Sequence, residues 1–170
     1  MLNKGWLIWA AVGLLAGCGQ QKVDQAVEVQ RQKFLLSDEP EDAVPVQEAS
    51  QITQLPAQVV LVGRIGGVDN PWTVGQAAFV LADPTLLSEQ EEHSHAGHNP
   101  DDCPFCSKKK NKMDGLALVE FSDERGQVLP IDAQHLFDLS SGQTVVVRGH
   151  AQRDEAGHLV VAAQGIYVRR

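Results

Sequence analysis

Short segments that alternate aliphatic residues with small or polar ones dominate the chain after residue 56, and they constrain its fold more than any other feature. The clearest begins at residue 58 and reads QVVLVGRIGG. A period of two places successive side chains on opposite faces of an extended chain, which is typical of a half-buried strand. Similar segments follow, and Gly, Pro, Asn or Asp separates each from the next. The pattern therefore predicts a mainly β domain.

The order of these segments indicates one particular architecture. After the first strand, the sequence predicts two more strands, one short helix and a final hairpin with a terminal segment, at 77–82, 116–121, 130–139, 143–149 with 158–163, and 166–168. This order resembles OB-fold domains, which are small five-stranded Greek-key barrels. As in that family, the helix precedes the fourth strand. Blocks such as FLLSDEP, VGRIGG, AAFVLADP and DEAGHLVV also resemble a family of uncharacterised bacterial envelope lipoproteins, from which no activity carries over.

The first residues have the layout of a secretory signal. Lys4 precedes a short apolar run, and the four residues LAGC at 15–18 resemble the lipobox of bacterial lipoproteins. The resemblance implies a signal peptide at 1–17, a diacylglyceryl group on the Cys18 thiol, and a bilayer anchor of acyl chains such as palmitate. Gly19 stands where inner-membrane retention requires Asp, so we expect the cell envelope, and the outer membrane in a Gram-negative cell. An ordinary signal peptide, or a short membrane anchor, with an incidental cysteine is the alternative.

The sequence predicts an acidic tether at 18–55, between the anchor and a domain at 56–170. From residue 20 onward the tether has seven acidic side chains against three basic ones, several prolines and no sustained apolar period. Such a segment repels itself and extends away from a bilayer. Two apolar clusters, 34–36 and 44–46, interrupt it. We expect these clusters to lie as a strap on the domain, because apolar side chains gain by burial.

The connection at 84–115, between the second and third predicted strands, is a long polar insertion. It contains HSHAGHNPDDCPFC, whose donors are spaced H-x-H-x2-H-x4-C-x2-C. A C-x2-C turn lets two thiolates face one ion, and imidazoles complete a tetrahedron around it. We therefore predict a metal site with Zn(II) as the first choice and Cu(I) as the second. Its ligands are Cys103 and Cys106 with His95 and His98, and His93 is the spare.

Three alternatives for the insertion remain open. In the first, the histidine run is a solvated low-complexity patch without an ion. In the second, Cys103 and Cys106 form a local disulfide, as an oxidising compartment favours, and the barrel is a ligand- or partner-binding module. The third is a thiol–disulfide redox motif, because the lysines at 108–112 would lower a thiol pKa. However, no βαβ pattern of the thioredoxin type surrounds these cysteines.

Charge and motif content exclude several classes of function. The net charge is −8 and aromatic residues make up 5% of the chain, so neither phosphate neutralisation nor base stacking is favoured, and we expect no nucleic-acid partner. The sequence contains no recognisable catalytic triad, carboxylate pair or phosphate-binding loop. We therefore expect a non-enzymatic envelope lipoprotein whose OB domain displays a metal-binding loop. Another protein of the envelope is a further candidate partner.

Overall fold

The computed structural model describes residues 20–86 and 113–169. Within these residues the strands are β1 Val44–Pro45, β2 Ala57–Ile65, β3 Ala78–Ala82, β4 Leu116–Phe121, β5 Thr144–Arg153 and β6 Leu159–Val168. The helices are α1 Gln20–Phe34, α2 Val46–Ala49 and α3 Ala133–Phe137. Strands thus carry most of the regular structure after residue 56, as their alternating sequences predict.

Five of the strands close into a barrel. They are ordered β2-β3-β4-β6-β5, and β5 pairs back with β2 along residues 57–64. The β4–β6 pairing is parallel and the other four are antiparallel. Helix α3 lies between β4 and β5 in the chain. This is the Greek-key arrangement of an OB-type barrel, and it confirms the predicted fold class.

Alternating side chains of the strands fill the barrel. In β2 every second residue from Val59 to Ile65 is buried, and in β4 the buried residues are Ala117, Val119 and Phe121. Phe121 lies at the centre of a cluster of rings. Its ring centroid is 4.6 Å from that of Phe137 on α3 and 6.2 Å from that of Phe79 on β3. Helix α3 therefore contributes to the same core as the strands.

The observed elements differ from the predicted ones mainly at their ends. Strand β4 has the predicted bounds, whereas β5 continues to Arg153 and β6 runs without a break from Leu159 to Val168. A register shift between Arg148 and Gly149 lets the two long strands stay paired. Helix α3 is shorter than predicted because the chain turns into the left-handed conformation at Asp138, with φ of 57°.

The segment before the barrel differs from the extended tether that the sequence predicts. Residues 20–34 form a helix, because they contain many good helix formers and no proline or glycine. At the end of this helix Phe34 is buried, with its ring centroid 5.3 Å from that of Phe121. Further along, Val46 and Ala49 are buried in the same core. The part from Phe34 to Ala49 is therefore a folded part of the domain.

The two apolar clusters of this segment lie on the barrel, as the sequence predicts for a strap. After Phe34, Leu35 forms a parallel bridge with Ile166 of β6, and the Leu36 N–H donates to the Ile166 carbonyl at 2.8 Å. Strand β1 then pairs in parallel with β2 at residues 61 and 62. Leu35 thus covers a part of β6 that β4 does not reach, and β1 covers a part of β2 that β3 does not reach. We call residues 34–49 the N-terminal strap.

Candidate functional site

The predicted metal ligands and the predicted lipidation site lie outside the described residues. They are Cys18, His93, His95, His98, Cys103 and Cys106. Within 20–86 and 113–169, the structure contains no group of three or more His, Cys, Asp or Glu side chains that could hold a metal ion. What the structure does describe is the place where the insertion leaves the barrel and returns to it.

The two ends of the insertion meet at one residue pair. Ala82, the last residue of β3, is paired with Leu116, the first residue of β4. One step beyond, the Asp83 N–H donates to the Gly115 carbonyl at 2.8 Å. The antiparallel ladder therefore continues to the point where the chain leaves the barrel. We call residues 82–86 and 113–116 the insertion root.

The Asp83 carboxylate connects the insertion root to the N-terminal strap. Asp83 is buried, with 1% of its surface exposed. Its Oδ2 accepts the Gln47 N–H at 2.9 Å, which is an N–H in the first turn of α2 that no helical carbonyl can reach. Its Oδ1 accepts both the Thr85 N–H at 3.0 Å and the Thr85 hydroxyl at 2.7 Å. One side chain thus bonds both to the N-terminal strap and to the start of the insertion.

Two glycines let neighbouring segments of the chain pass close to each other at the insertion root. A Cβ on Gly115 would overlap the end of the Leu86 side chain, so the returning chain passes close beneath Leu86. Gly67, in the β2–β3 loop, has φ of 82°, and a Cβ there would lie 2.6 Å from Leu116 Cδ2. The insertion root is therefore closely packed from two directions.

The histidines within the described residues are separate from one another. His135 lies on α3 and His150 on β5, and both are exposed. His158 lies in the β5–β6 turn, where its Nδ1 is 3.0 Å from Asp154 Oδ2. The backbone N–H of His158 also donates to that carboxylate and is the main cause of the lowered pKa of Asp154. These contacts shape a hairpin turn and form no binding centre.

The sequence interpretation missed the role of Asp83. In the sequence, Asp83 and Pro84 indicate only the end of a predicted strand. The signal was nevertheless present, because Asp followed by Pro and Thr is a frequent way to begin a helical turn, with the carboxylate accepting the N–H groups that follow. No local signal predicts the bond to Gln47, which is 36 residues away in the chain.

The two buried polar residues of the described part of the chain take part in hydrogen bonds to the backbone. Asp83 accepts the Gln47 N–H, and the Ser50 hydroxyl donates to the Gln47 carbonyl. None of the helices in the described ranges is long and apolar enough to cross a membrane. What the geometry provides is a closed barrel that holds the two ends of an insertion next to each other.

Comparison with known proteins adds little to this description. No protein-family model matches the chain, and no curated protein matches it. Among solved structures it is similar to a putative aspartyl-tRNA synthetase from Leishmania major Friedlin, with 9% sequence identity and a TM-score of 0.40. The similarity covers 86% of this chain and 26% of that one, so this chain spans about a quarter of that protein's length. A similarity at this level says nothing about function.

Proposed function

We propose that this protein is a lipid-anchored envelope protein whose OB-type barrel displays a loop that binds Zn(II), with Cu(I) as the second choice. The observation that carries the proposal is the insertion root. A donor set spaced H-x-H-x2-H-x4-C-x2-C lies in an insertion whose ends are held together by the Ala82–Leu116 pair and the Asp83–Gly115 hydrogen bond. The chemistry of the donors indicates the site, and the paired ends of the insertion fix where its chain is attached to the barrel.

The donor set determines how the metal would bind. Two thiolates from Cys103 and Cys106 and two imidazoles, from His95 and His98, complete the four-coordinate tetrahedron that Zn(II) prefers. Binding replaces the thiol protons with the metal, so apparent affinity falls as the pH falls. Thiolates also suit Cu(I), and the choice between the two ions depends on which of them the envelope supplies.

The closed insertion root would let the metal act on the insertion alone. Because the barrel holds both ends of the insertion, the entropy of bringing them together is already lost when the barrel folds. An ion then has only to order the residues between the ends. We infer that metal binding organises the insertion for capture or transfer of the ion and that the barrel folds without it.

Metal analysis of the untagged protein, extracted from the envelope, tests the proposal. We expect close to one zinc or copper per chain, and loss of that metal in a Cys103→Ser, Cys106→Ser double variant. His135→Ala is the matched control, because His135 is exposed on α3 and belongs to no cluster. Absence of both metals from the parent protein, or equal metal in parent and double variant, would overturn the proposal.

Thiol counting distinguishes the metal site from the disulfide alternative. Unreduced protein is denatured with a chelator present and alkylated, and its mass is measured. Alkylation of both Cys103 and Cys106 supports a metal thiolate site. If neither of them is alkylated, the result supports a Cys103–Cys106 disulfide and the partner-binding module.

The lipid anchor has its own test. We expect the parent protein to partition into the detergent phase and to carry the mass of acyl groups on its first mature residue. Cys18→Ser should abolish both properties, while Cys103→Ser should change neither. Detergent-phase partition of the Cys18→Ser variant would contradict the anchor.

A further inference from the structure

A groove opens between the chain that follows α2 and the end of β5. Its volume is about 600 Å³, which lies in the range of small-molecule sites. Ile52, Leu55 and Pro56 supply apolar surface on one part of the lining, and Thr53, Gln152 and Arg153 supply polar groups. The N-terminal residues of this lining precede the barrel, so the groove is a product of the added segment and not of the five strands alone.

Within the described residues, the guanidinium of Arg153 is bonded at this groove to backbone carbonyls and has no carboxylate partner. Its Nη1 donates to the Gly157 carbonyl at 2.8 Å and its Nη2 donates to the Ser50 carbonyl. Within the described residues these are its hydrogen bonds, and both acceptors are neutral. A guanidinium has five N–H donors, so three remain for a ligand. The positive charge is therefore held in place but not neutralised.

The surroundings of Arg153 favour an anion. Within the described part of the chain, the groove lining contains neither Asp nor Glu, although the protein as a whole has a net charge of −8. The neighbouring Asp154 carboxylate accepts hydrogen bonds from the Ala156 and His158 N–H groups inside the hairpin turn. These hydrogen bonds of Asp154 lie within the turn, and Asp154 does not line the groove.

The groove wall is held by its own hydrogen bonds. The N–H groups of Ser50, Gln51 and Ile52 donate to carbonyls of residues 46–49, at 2.9 to 3.1 Å. Arg153 then joins this wall to the β5–β6 turn through its two carbonyl acceptors. A ligand would therefore meet a site whose donors are already positioned, which reduces the entropy lost on binding.

We propose that the groove binds a small organic carboxylate with an apolar body. The carboxylate lies on the free N–H donors of Arg153, and the apolar body lies against Ile52, Leu55 and Pro56. A single guanidinium with three donors matches a monoanion, whereas a phosphate dianion calls for more cationic partners than this lining supplies. The site is independent of the metal-binding loop and goes beyond the proposed function.

Titration of the full chain with octanoate tests the proposal. Octylammonium, which has the same alkyl length and the opposite charge, is the matched ligand control. We expect octanoate to shift the backbone NMR signals of residues 50–56 and 152–153, with at least tenfold weaker binding of octylammonium. Equal binding of the two ligands, shifts confined to other residues, or no shift up to about 10 mM would overturn the proposal.

Two substitutions locate the charge that recognises the ligand. Arg153→Gln removes the guanidinium, and we expect at least a tenfold loss of octanoate affinity, because a hydrogen bond to a charged group is lost. Since this change also removes the bond to Ser50, a second variant is needed. Gln152→Glu keeps Arg153 and places a carboxylate in the lining, so it too should weaken octanoate binding several-fold. Gln127→Glu, which introduces the same charge at an exposed site outside the lining, should not. Unchanged affinity in the Gln152→Glu variant would contradict the role of Arg153.

Discussion

The N-terminal strap and the insertion root both connect added chain to the same barrel, but they do so in different ways. The strap supplies buried side chains to the core, namely Phe34, Val46 and Ala49. The described residues of the insertion, 83–86 and 113–115, supply no side chain to that core. They are attached instead by backbone pairing and by the hydrogen bonds of one carboxylate.

Among the described residues, this difference separates side chains that fill the core from chain that is attached by hydrogen bonds. An element that fills the core shares the cooperative unfolding of the domain, and its loss leaves a cavity. An element joined only at its ends can change its conformation while the core stays intact. We therefore expect stability to respond strongly to changes in the strap, moderately to changes at the insertion root, and very little to changes farther out in the insertion.

The largest effect is expected at Phe34. Phe34→Ala removes a ring from contact with Phe121 and should lower the free energy of unfolding by about 3 kcal/mol or more, as measured by urea denaturation. Leu35→Ala is the matched control, because Leu35 is 39% exposed and pairs with Ile166 through its backbone. It should cost less than about 1 kcal/mol. Equal small losses in both variants would show that the strap only covers the surface.

A smaller loss is expected at Asp83, which joins the two regions. Asp83→Ala leaves the buried Gln47 N–H without its acceptor and removes two bonds to Thr85, so we expect a loss of about 2 kcal/mol. Asp114→Ala, at an exposed residue of the insertion root, is the control and should have little effect. A loss at Asp83 no greater than at Asp114 would mean that the root is held by backbone pairing alone.

Much of the architecture was predictable from sequence, because each barrel strand repeats its buried positions at a period of two. That period identifies β2 and β4 almost to the residue. The helix α1 was not predicted, because most of its residues are polar and its buried Phe34 lies at its last residue. Its end is held by the contact of Phe34 with Phe121 and by the backbone contacts of Leu35 and Leu36 with Ile166, which no local pattern indicates.

The candidate donor set and the groove at Arg153 differ in how far the sequence indicates them. The spacing of histidines and cysteines identifies a candidate donor set from sequence alone, because it follows from local turn chemistry. The groove at Arg153 has no such signal. Its walls come from residues about 100 positions apart, which are brought together by the pairing of β2 with β5. Proximity of this kind arises from topology and is absent from any local pattern.

A still smaller effect is expected for the ion pair that joins the strap to the end of β6. Glu39 and Arg169 are bonded, with Nε–Oε1 at 3.1 Å, and Arg169 lowers the pKa of the Glu39 carboxyl. The stabilisation is therefore present above the unfolded pKa and is lost as the pH falls through the lowered folded pKa of Glu39. Both side chains are solvated, so Glu39→Gln should lower the Tm at neutral pH by no more than about 2 °C.

The pH dependence of that variant provides the check. Thermal unfolding of the parent protein and of Glu39→Gln should converge as the pH falls below the lowered pKa of Glu39, because the parent's carboxyl becomes protonated there. The variant should keep part of its acid sensitivity, since Asp154 also has a lowered pKa. Divergence of the two proteins in acid would show that Glu39 acts by some route other than its charge.

The smallest effect on unfolding is expected from metal removal. A chelator, or the Cys103→Ser and Cys106→Ser double variant, should leave the β-sheet circular dichroism and the main thermal transition nearly unchanged. Limited proteolysis between residues 88 and 112 should become much faster, because the ion no longer orders that segment. Global unfolding on chelation would erase the contrast between the strap and the insertion, and it would make the ion part of the core structure.

The pairing of Ala82 with Leu116 also affects how the chain can vary in length. The barrel itself brings these two residues together. For a flexible segment between them, the entropic cost of closure grows only with the logarithm of its length, by about 0.6 kcal/mol for each doubling. A version with a short turn and a version with a much longer segment would present nearly the same barrel. This position is therefore suited to grafting, where foreign peptides replace the insertion and the five strands keep their register.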